Sequence, residues 1–391
     1  MAITSAMTRP GPQGTPVTFV HTSDWQLGMM RRFLGPEAGA RYSQARIDAI
    51  ERIGAVAREH KAAFVVVAGD VFDANQVDRQ VVSRACDALR AIACPVLMVP
   101  GNHDSLEPGT VWSSPMLAAH LPSQVEILTD STPRRPVAGV EVVGVPWRTR
   151  RSVSDPLGAV EGWAEVPDAG VVRILVGHGQ VESLAASSGD PALIRLEPLQ
   201  QAIEEGRLHY VALGDRHSLT SVGETGRIWY SGTPEPTRPE EERPGEVLVV
   251  EVGPRDACTV TPVSVGTWRL RSNVVDVDVD EGLDELAVWL GAQPDKSRTV
   301  VRLGVQGSLT VGGLTRLEML LEAQEEVYAA IQRWNRHWAV TVLPDDGDLD
   351  ELPVTGPARA ALEELRIATG GGDTQAADAL ALLHRLAGGV A

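Results

Sequence analysis

The sequence predicts an α/β fold in which parallel strands alternate with helices. Short apolar runs, typical of buried strands, occur at residues 17–20, 64–68 and 96–99. Between them, residues 42–60 carry apolar side chains at the spacing of an amphipathic helix, and residues 78–92 form a second predicted helix. The order strand, helix, strand, helix, strand indicates parallel β-α-β units with right-handed crossovers.

Five of the apolar strands are followed directly by polar residues that can bind a metal ion. Glycine precedes the polar group in four of the five, which lets the backbone pass close to an ion. In α/β sheets, ligands bind at the carboxyl ends of the strands. A shared metal site therefore explains five such ends better than turn chemistry does. The candidate side chains at these ends are Asp24, Gln26, Asp70, Asn102, His103, Asp104, His178, Asp215 and His217.

The order and spacing of these residues resemble those of a known family, the calcineurin-like metallophosphoesterases. The motifs that carry the resemblance are Asp24-x-Gln26, Gly69-Asp70-x-x-Asp73, Gly101-Asn102-His103-Asp104, Gly177-His178 and Gly214-x-x-His217. The segments 22–28, 68–73 and 230–236 are similar to the DNA repair exonuclease branch of that family, the SbcD and YhaO type. The resemblance covers about residues 17 to 345. It implies a β-sandwich flanked by helices, with a small α+β capping domain and a helical C-terminal tail.

The resemblance also implies a pair of divalent metal ions bridged by Asp70. One ion would be completed by Asp24, Gln26 and His217, and the other by Asn102, His178 and Asp215. Carboxylate, imidazole and amide ligands suit Mn²⁺, with Mg²⁺ as the alternative.

His103 would act on the leaving oxygen of a phosphodiester while paired ions activate a water. Asp104 would set the orientation of the His103 ring, and Asp73 is expected to cap the following segment. The alternative for His103 is a turn histidine that contacts Asp104.

Two of these positions depart from the family's usual motif. Gln26 stands where the family has histidine, and Asp215 also replaces a histidine. Both replacements can still coordinate through oxygen. We therefore expect a weaker ion beside Gln26 and a tighter one beside Asp215.

The domain organisation follows from changes in pattern along the chain. Residues 1–16 are expected to be a disordered leader, and residues 17–265 the nuclease domain. Residues 266–345 have a β-α-β-α-β order that suits a capping domain, with a long helix predicted at 314–334. Residues 346–391 are expected to contain an acidic linker and two helices separated by three glycines.

Leucines on those last helices predict a partner site. Short helices separated by three glycines should bury their leucines poorly against each other. We therefore expect the apolar face of these leucines to dock on an SbcC-like coiled-coil ATPase. The alternative is that they pack back on their own chain. The residues concerned are Leu362, Leu365, Leu380, Leu383 and Leu386.

Composition narrows the class of protein. The formal net charge of −17 argues against a generally basic nucleic-acid binder, although metal ions or a partner could still hold DNA. The cysteines at 86, 94 and 258 lack metal-ligand spacing and indicate a reduced, cytoplasmic protein. No signal-peptide pattern or membrane-length apolar run occurs.

Three functions remain open at this point. The first is a DNA nuclease for repair or end processing that works with the ATPase, with homodimerisation as an open alternative. The second is a small-molecule phosphodiesterase or phosphatase, and the third is a scaffold with an altered site. Arg31 and Arg32, and the basic loop around Trp147, could contact nucleic acid. Equally, they could be a solvated loop and a cover for the sheet edge.

Overall fold

Two sheets pack face to face, and helices cover their outer faces. The computed structural model describes residues 16–158, 165–186, 189–254, 258–277, 280–342, 349–350, 352–371 and 373–387. The predicted leader, apart from Pro16, and most of the predicted acidic linker lie outside the described residues. The chain divides into two units, one formed by the described residues up to Arg31 and Gly39–Trp268, the other by Arg32–Ala38 and the described residues from Arg269 onwards.

The first sheet of the larger unit has six strands in the order β11-β10-β1-β2-β3-β4. β1 to β4 are parallel, whereas β10 runs antiparallel to both β1 and β11. The strands are β1 Val17–Thr22, β2 Val65–Ala68, β3 Val96–Val99, β4 Val125–Ile127, β10 Glu246–Val252 and β11 Cys258–Ser264. The helices that follow the first three of them are α1 Pro36–Glu59, α2 Arg79–Leu89 and α3 Pro115–His120.

The second sheet has five strands in the order β5-β6-β7-β9-β8. Only β8 is antiparallel to its neighbour. The elements are β5 Val140–Gly144, β6 Val172–His178, α4 Leu196–Glu204, β7 Tyr210–Gly214, β8 Thr220–Val222 and β9 Ile228–Tyr230.

Strand β2 shows why the sequence of these strands is apolar without alternation. Val65 and Val67 pack against the helices on the outer face, whereas Val66 and Ala68 pack between the two sheets. A strand buried on both faces carries a continuous apolar run. The predicted α/β sandwich flanked by helices is thereby confirmed.

The smaller unit contains a three-stranded parallel sheet in the order β12-β13-β14. Leucines and valines of the sheet form a core with those of α5 and α6. The elements are β12 Arg269–Asp276, α5 Asp280–Ala292, β13 Thr299–Leu309, α6 Val311–Glu325, β14 Ala330–Val342, α7 Pro357–Gly370 and α8 Thr374–Ala387.

Two expectations about this unit are wrong. The helix predicted at 314–334 ends at Glu325, and residues 330–334 already belong to β14, where isoleucine and tryptophan favour a strand. The C-terminal helices also bury leucines against each other, because Leu349 and Leu352 complete a small core around Leu362 and Leu380. Among the described residues, no helix is long and apolar enough to cross a membrane.

Candidate metal centre

The carboxyl ends of β1, β2, β3, β6 and β7 bring the predicted ligands into one cluster. Asp24 N–H donates to Gly69 O at 3.0 Å, and Gln26 N–H donates to Asp70 O at 3.0 Å, so the loops after β1 and β2 are held together. Across the sandwich, Asp215 N–H donates to Asp24 Oδ2 at 3.1 Å. The loops of both sheets therefore meet at one edge.

The backbone is strained at this edge. Seven non-glycine residues among those described have a positive φ, and four of them are predicted ligands. Such conformations are uncommon and concentrate at functional sites. The four are Asp24 (φ 53°), Gln26 (50°), Asp70 (52°) and Asp215 (97°).

Glycines at the strand ends make room for the ligands themselves. A Cβ atom at Gly69 would overlap the His178 ring, and one at Gly101 would overlap the Asp70 carboxylate. A Cβ atom at Gly214 would collide with the Ala68 carbonyl. The glycines noted in the sequence therefore permit a close approach between loops and ligand side chains.

Asp24, Asp70 and His178 form the centre of the cluster. They are buried, and each offers one ligand atom within 4.8 Å of the others. The Nδ1–H of His178 donates to Ala68 O at 2.8 Å, which turns Nε2 towards the cluster. Nε2 lies 2.9 Å from Asn102 Oδ1 and 3.4 Å from Asp70 Oδ1. A ring nitrogen that faces oxygen acceptors holds a proton there, and a metal ion can take the place of that proton.

Gln26 adds an independent indication that a cation fits. Its Nε2 donates to Asp70 Oδ2 at 2.8 Å, which directs the amide towards the cluster. Its Oε1 is buried and has no hydrogen-bond partner among the described residues. A buried oxygen without a donor is unfavourable unless a ligand satisfies it. The donor set therefore fits a divalent ion held by oxygen and imidazole.

The pKa values of the cluster reflect crowded, buried charge. Burial raises the pKa of Asp24 to about 6, against the opposing effect of two nearby histidines. Burial likewise raises the pKa of Asp215. For His178, burial lowers the pKa, but the surrounding carboxylates, Asp70 first, outweigh burial and raise it to about 9. Without a metal ion, protons are therefore the cations that the cluster retains.

The cluster forms the floor of an open cleft of about 560 Å³. Gln26, Asp70, Asp215 and His217 line it together with His103. A larger cavity of about 790 Å³ lies elsewhere, around Asp155 and Arg195, and none of its described lining residues is a predicted ligand. The chemistry therefore belongs to the smaller cleft.

Residues 17–237, more than half of the chain, match the family model described as Calcineurin-like phosphoesterase. The chain belongs to this family. Calcineurin-like phosphoesterases use divalent metal ions in a dimetal site. Membership of this family indicates that the chain is a metal-dependent hydrolase. Among curated proteins there is no significant sequence match.

Solved structures to which the chain is similar include TT1561 of Thermus thermophilus and a dimetal phosphatase from Danio rerio. The first is 13% identical, with a TM-score of 0.40 over 64% of this chain and 100% of that chain. The second is 14% identical, with a TM-score of 0.38 over 64% of this chain and 99% of that chain. Neither likeness is close enough to inform the site of this phosphoesterase.

His217 is positioned in the phosphoesterase site by a residue that the motifs did not include. Its Nε2 lies 3.6 Å from Asp24 Oδ1, and its Nδ1–H lies 2.6 Å from Thr237 Oγ1 and 3.0 Å from Glu241 Oε1. The Thr237 hydroxyl in turn donates to Glu241 Oε1, so the carboxylate holds both groups. Burial lowers the pKa of His217, but the hydrogen bond to Glu241 and the Asp24 carboxylate outweigh it and raise the pKa. A carboxylate behind a histidine ligand fixes its tautomer and increases its basicity. The acidic run at 240–242 was the only sequence signal for Glu241.

His103 lies at the rim of the cleft, and its ring is not oriented by Asp104 as predicted. The Nδ1–H of His103 donates to the Asp73 carbonyl at 2.9 Å, and the backbone N–H of His103 donates to Asp70 Oδ1 at 3.0 Å. Asp104 is buried beneath, where its carboxylate accepts from Phe72 N–H at 3.0 Å and from Gly101 N–H at 2.6 Å. Asp104 therefore fixes the two loops rather than the ring.

Trp147 contacts a predicted ligand. Its indole N–H donates to the His178 carbonyl at 2.6 Å, and the two rings meet edge to face at 6.4 Å. The sequence offered nucleic-acid contact or a sheet-edge cover for this residue. The observed contact instead supports the position of His178.

Proposed function

We propose that the chain is a Mn²⁺-dependent DNA nuclease that works with an SbcC-like coiled-coil ATPase. The observation that carries the hydrolytic part is the buried cluster of Asp24, Asp70 and His178. The Gln26 amide donates to Asp70, and its own oxygen has no hydrogen-bond partner among the described residues. Oxygen and imidazole donors without a thiolate suit Mn²⁺, with Mg²⁺ as the alternative.

The residues of the cluster would divide the work between holding ions and handling a proton. Paired ions, when bound, supply an activated water and neutralise the phosphoryl oxygens. Asp24, Gln26 and His217 would hold one ion and Asn102, His178 and Asp215 the other, with Asp70 between them. In His178 and His217 the Nδ1–H is held by a hydrogen-bond acceptor, Ala68 O and Glu241 Oε1 respectively. The Nε2 atom of each ring would therefore face a bound ion.

His103 would handle the proton of the leaving oxygen. Its Nδ1–H is held by Asp73 O, so the ring presents Nε2, which lies 3.9 Å from Asp70 Oδ2. The side chain is 46% exposed and lines the cleft, where a bound diester could reach it. A proton held at Nε2 can be given to the departing oxygen, which is the usual role of a general acid.

A cluster in the smaller unit favours nucleic acid as the substrate. The β13–β14 register passes from Leu303↔Arg333 directly to Val305↔Trp338, so residues 334–337 form a bulge beside Gly304. In this bulge the Trp334 ring lies 4.1 Å from the Arg302 guanidinium and 4.1 Å from the His337 ring. Aromatic rings with adjacent arginines can stack bases and contact phosphates. Hydrolysis of a small phosphate ester does not require such a surface.

The proposed binding site for the ATPase consists of apolar side chains on the C-terminal helices that are not part of the helices' own core. Ile367 is 76% exposed and Leu386 is 73% exposed, and Leu382 is also exposed. We expect Ile367→Asp with Leu386→Asp to abolish co-purification with the ATPase. Val288→Asp, at an exposed apolar position on α5, is the matched control. Unchanged binding by the double variant would remove this part of the proposal.

One assay separates the candidate functions. Purified protein with Mn²⁺ is offered single- and double-stranded DNA alongside bis(4-nitrophenyl) phosphate. Cleavage of DNA is the expected result. Hydrolysis of the simple diester alone would favour a small-molecule phosphodiesterase, and no hydrolysis of either would favour a scaffold.

A further inference from the structure

Three arginines lie on the wall of the cleft, beside the candidate metal centre. Arg31 follows the loop that carries Asp24 and Gln26, and Arg216 stands between Asp215 and His217. Arg238 follows directly after Thr237, on the loop behind His217. The formal net charge of the chain is −17, so a group of arginines beside an acidic candidate metal centre calls for a functional explanation.

Arg31 is held in place but is not satisfied. One of its terminal nitrogens, Nη2, donates to the Thr237 carbonyl at 2.6 Å, which ties it to the opposite loop. Its Nε–H is buried and lacks an acceptor within the described part of the chain. Buried N–H groups almost always have a partner. Because Arg31 lines the cleft, an anionic oxygen bound there would supply one.

The other two guanidinium groups also lack carboxylate partners in the described structure. Arg216 Nε donates to the Thr220 hydroxyl at 2.8 Å, which orients the group without neutralising it. The Arg238 guanidinium is exposed and makes no hydrogen bond or ion pair with any residue that the structure describes. Glu241, an acidic side chain of the same cleft, is already engaged by His217 and Thr237.

We propose that Arg31, Arg216 and Arg238 bind a second phosphate of the substrate, next to the phosphate that is cut. This inference rests on the proposed nuclease activity and adds the residues that hold the phosphate next to the scissile one. Metal ions held by the cluster would neutralise the scissile phosphate, which leaves the arginines for the neighbouring one. The planar guanidinium, with donors in a fixed fork, suits phosphate oxygens.

The test compares substrates that differ by one phosphate. A thymidine dinucleotide with a 5′-phosphate is hydrolysed beside the same dinucleotide without it. We expect kcat/KM to favour the phosphorylated dinucleotide by roughly 10- to 100-fold, the ratio that corresponds to one charge-assisted interaction. The ratio should arise mainly in KM, because the second phosphate is bound equally before and during the reaction.

The variants show whether the arginines create this ratio. Arg238→Ala, and Arg31→Lys, which keeps the charge but loses the Nε donor, should each bring the ratio closer to one. Arg90→Ala, an exposed arginine paired with Asp87 on α2, removes the same charge away from the cleft and should leave the ratio unchanged. A ratio near one in the wild type, or an unchanged ratio in both cleft variants, would overturn the proposal.

A binding measurement keeps this inference separate from the proposed activity. The phosphorylated dinucleotide is titrated into metal-free protein, which should not hydrolyse it. Weaker binding by Arg238→Ala than by Arg90→Ala supports the arginine site even if no turnover is found with any diester. Equal affinities for the wild type and Arg238→Ala would overturn it even if the protein proves to be a nuclease.

Discussion

Replacement of Glu241 by glutamine tests whether a carboxylate behind His217 controls one of the two proposed metal sites. The Glu241 carboxylate accepts the Nδ1–H of His217 at 3.0 Å, and its side chain is only 6% exposed. Water therefore cannot easily replace it. Loss of such a partner costs roughly 10- to 100-fold in metal affinity, or about 1.4–2.7 kcal/mol. Glutamine keeps an acceptor oxygen, and Thr237 Oγ1 also lies 2.6 Å from His217 Nδ1, so the substitution removes only the charge. We therefore expect Glu241→Gln to fall in the lower half of that range.

Calorimetric titration of metal-stripped protein with Mn²⁺ measures the effect. The wild type should show two unequal steps, and Glu241→Gln should weaken the step assigned to Asp24, Gln26 and His217 while it spares the other. Glu242→Gln, at the neighbouring position, removes the same charge and serves as the control. Two unchanged steps in Glu241→Gln, or an equal loss in Glu242→Gln, would refute the role given to Glu241.

Three further predictions concern the same site. His103→Ala should lower Mn²⁺-dependent hydrolysis by a factor of roughly 10² or more, the usual range for a general acid, yet leave metal content nearly unchanged; normal turnover would exclude that role. Gln26→His should strengthen the weaker calorimetric step, because imidazole is a better donor than a neutral amide oxygen, and no gain would mean that position 26 is not a ligand. The third prediction concerns pH. Folding raises the pKa of Asp24 to about 6 and that of His178 to about 9. Both groups therefore hold protons more tightly in the folded chain than in the unfolded chain. Their contribution to stability is therefore present at low pH and is lost as pH rises through about 6 and then about 9, while metal binding needs both groups deprotonated. The rise in melting temperature that Mn²⁺ causes should grow from pH 5 to pH 9, and a rise independent of pH would contradict these pKa shifts.

The convergence of the five strand ends could be predicted because each strand is a short, continuous apolar run. Such runs place β1, β2 and β3 in parallel, and parallel strands deliver their following residues to one edge. The motif order then supplied candidate ligands, whose roles remain predictions. What the sequence could not show is that Gly69 and Gly101 make room for His178 and Asp70. That requirement depends on contacts between residues far apart in the chain.

The errors share a cause, which is the dominance of tertiary contacts over local pattern. Residues 330–334 continued the helical spacing of α6, but they pair with β13 and are therefore a strand. The leucines of α7 and α8 were expected to lack a core, yet Leu349 and Leu352, upstream of both helices, complete it. Similarly, the His103 ring was expected to be oriented by its neighbour Asp104. The ring instead donates a hydrogen bond to the backbone carbonyl of Asp73, thirty residues earlier.

The central proposal is that Asp70 would help to hold both metal ions, and metal content tests it most directly. Protein reconstituted with Mn²⁺ and freed of excess ion is analysed for manganese per chain, as wild type and as Asp70→Asn. The account predicts two ions per chain in the wild type, fewer than one in Asp70→Asn, and loss of diester hydrolysis in the variant. Two ions retained by Asp70→Asn, or none bound by the wild type, would contradict it.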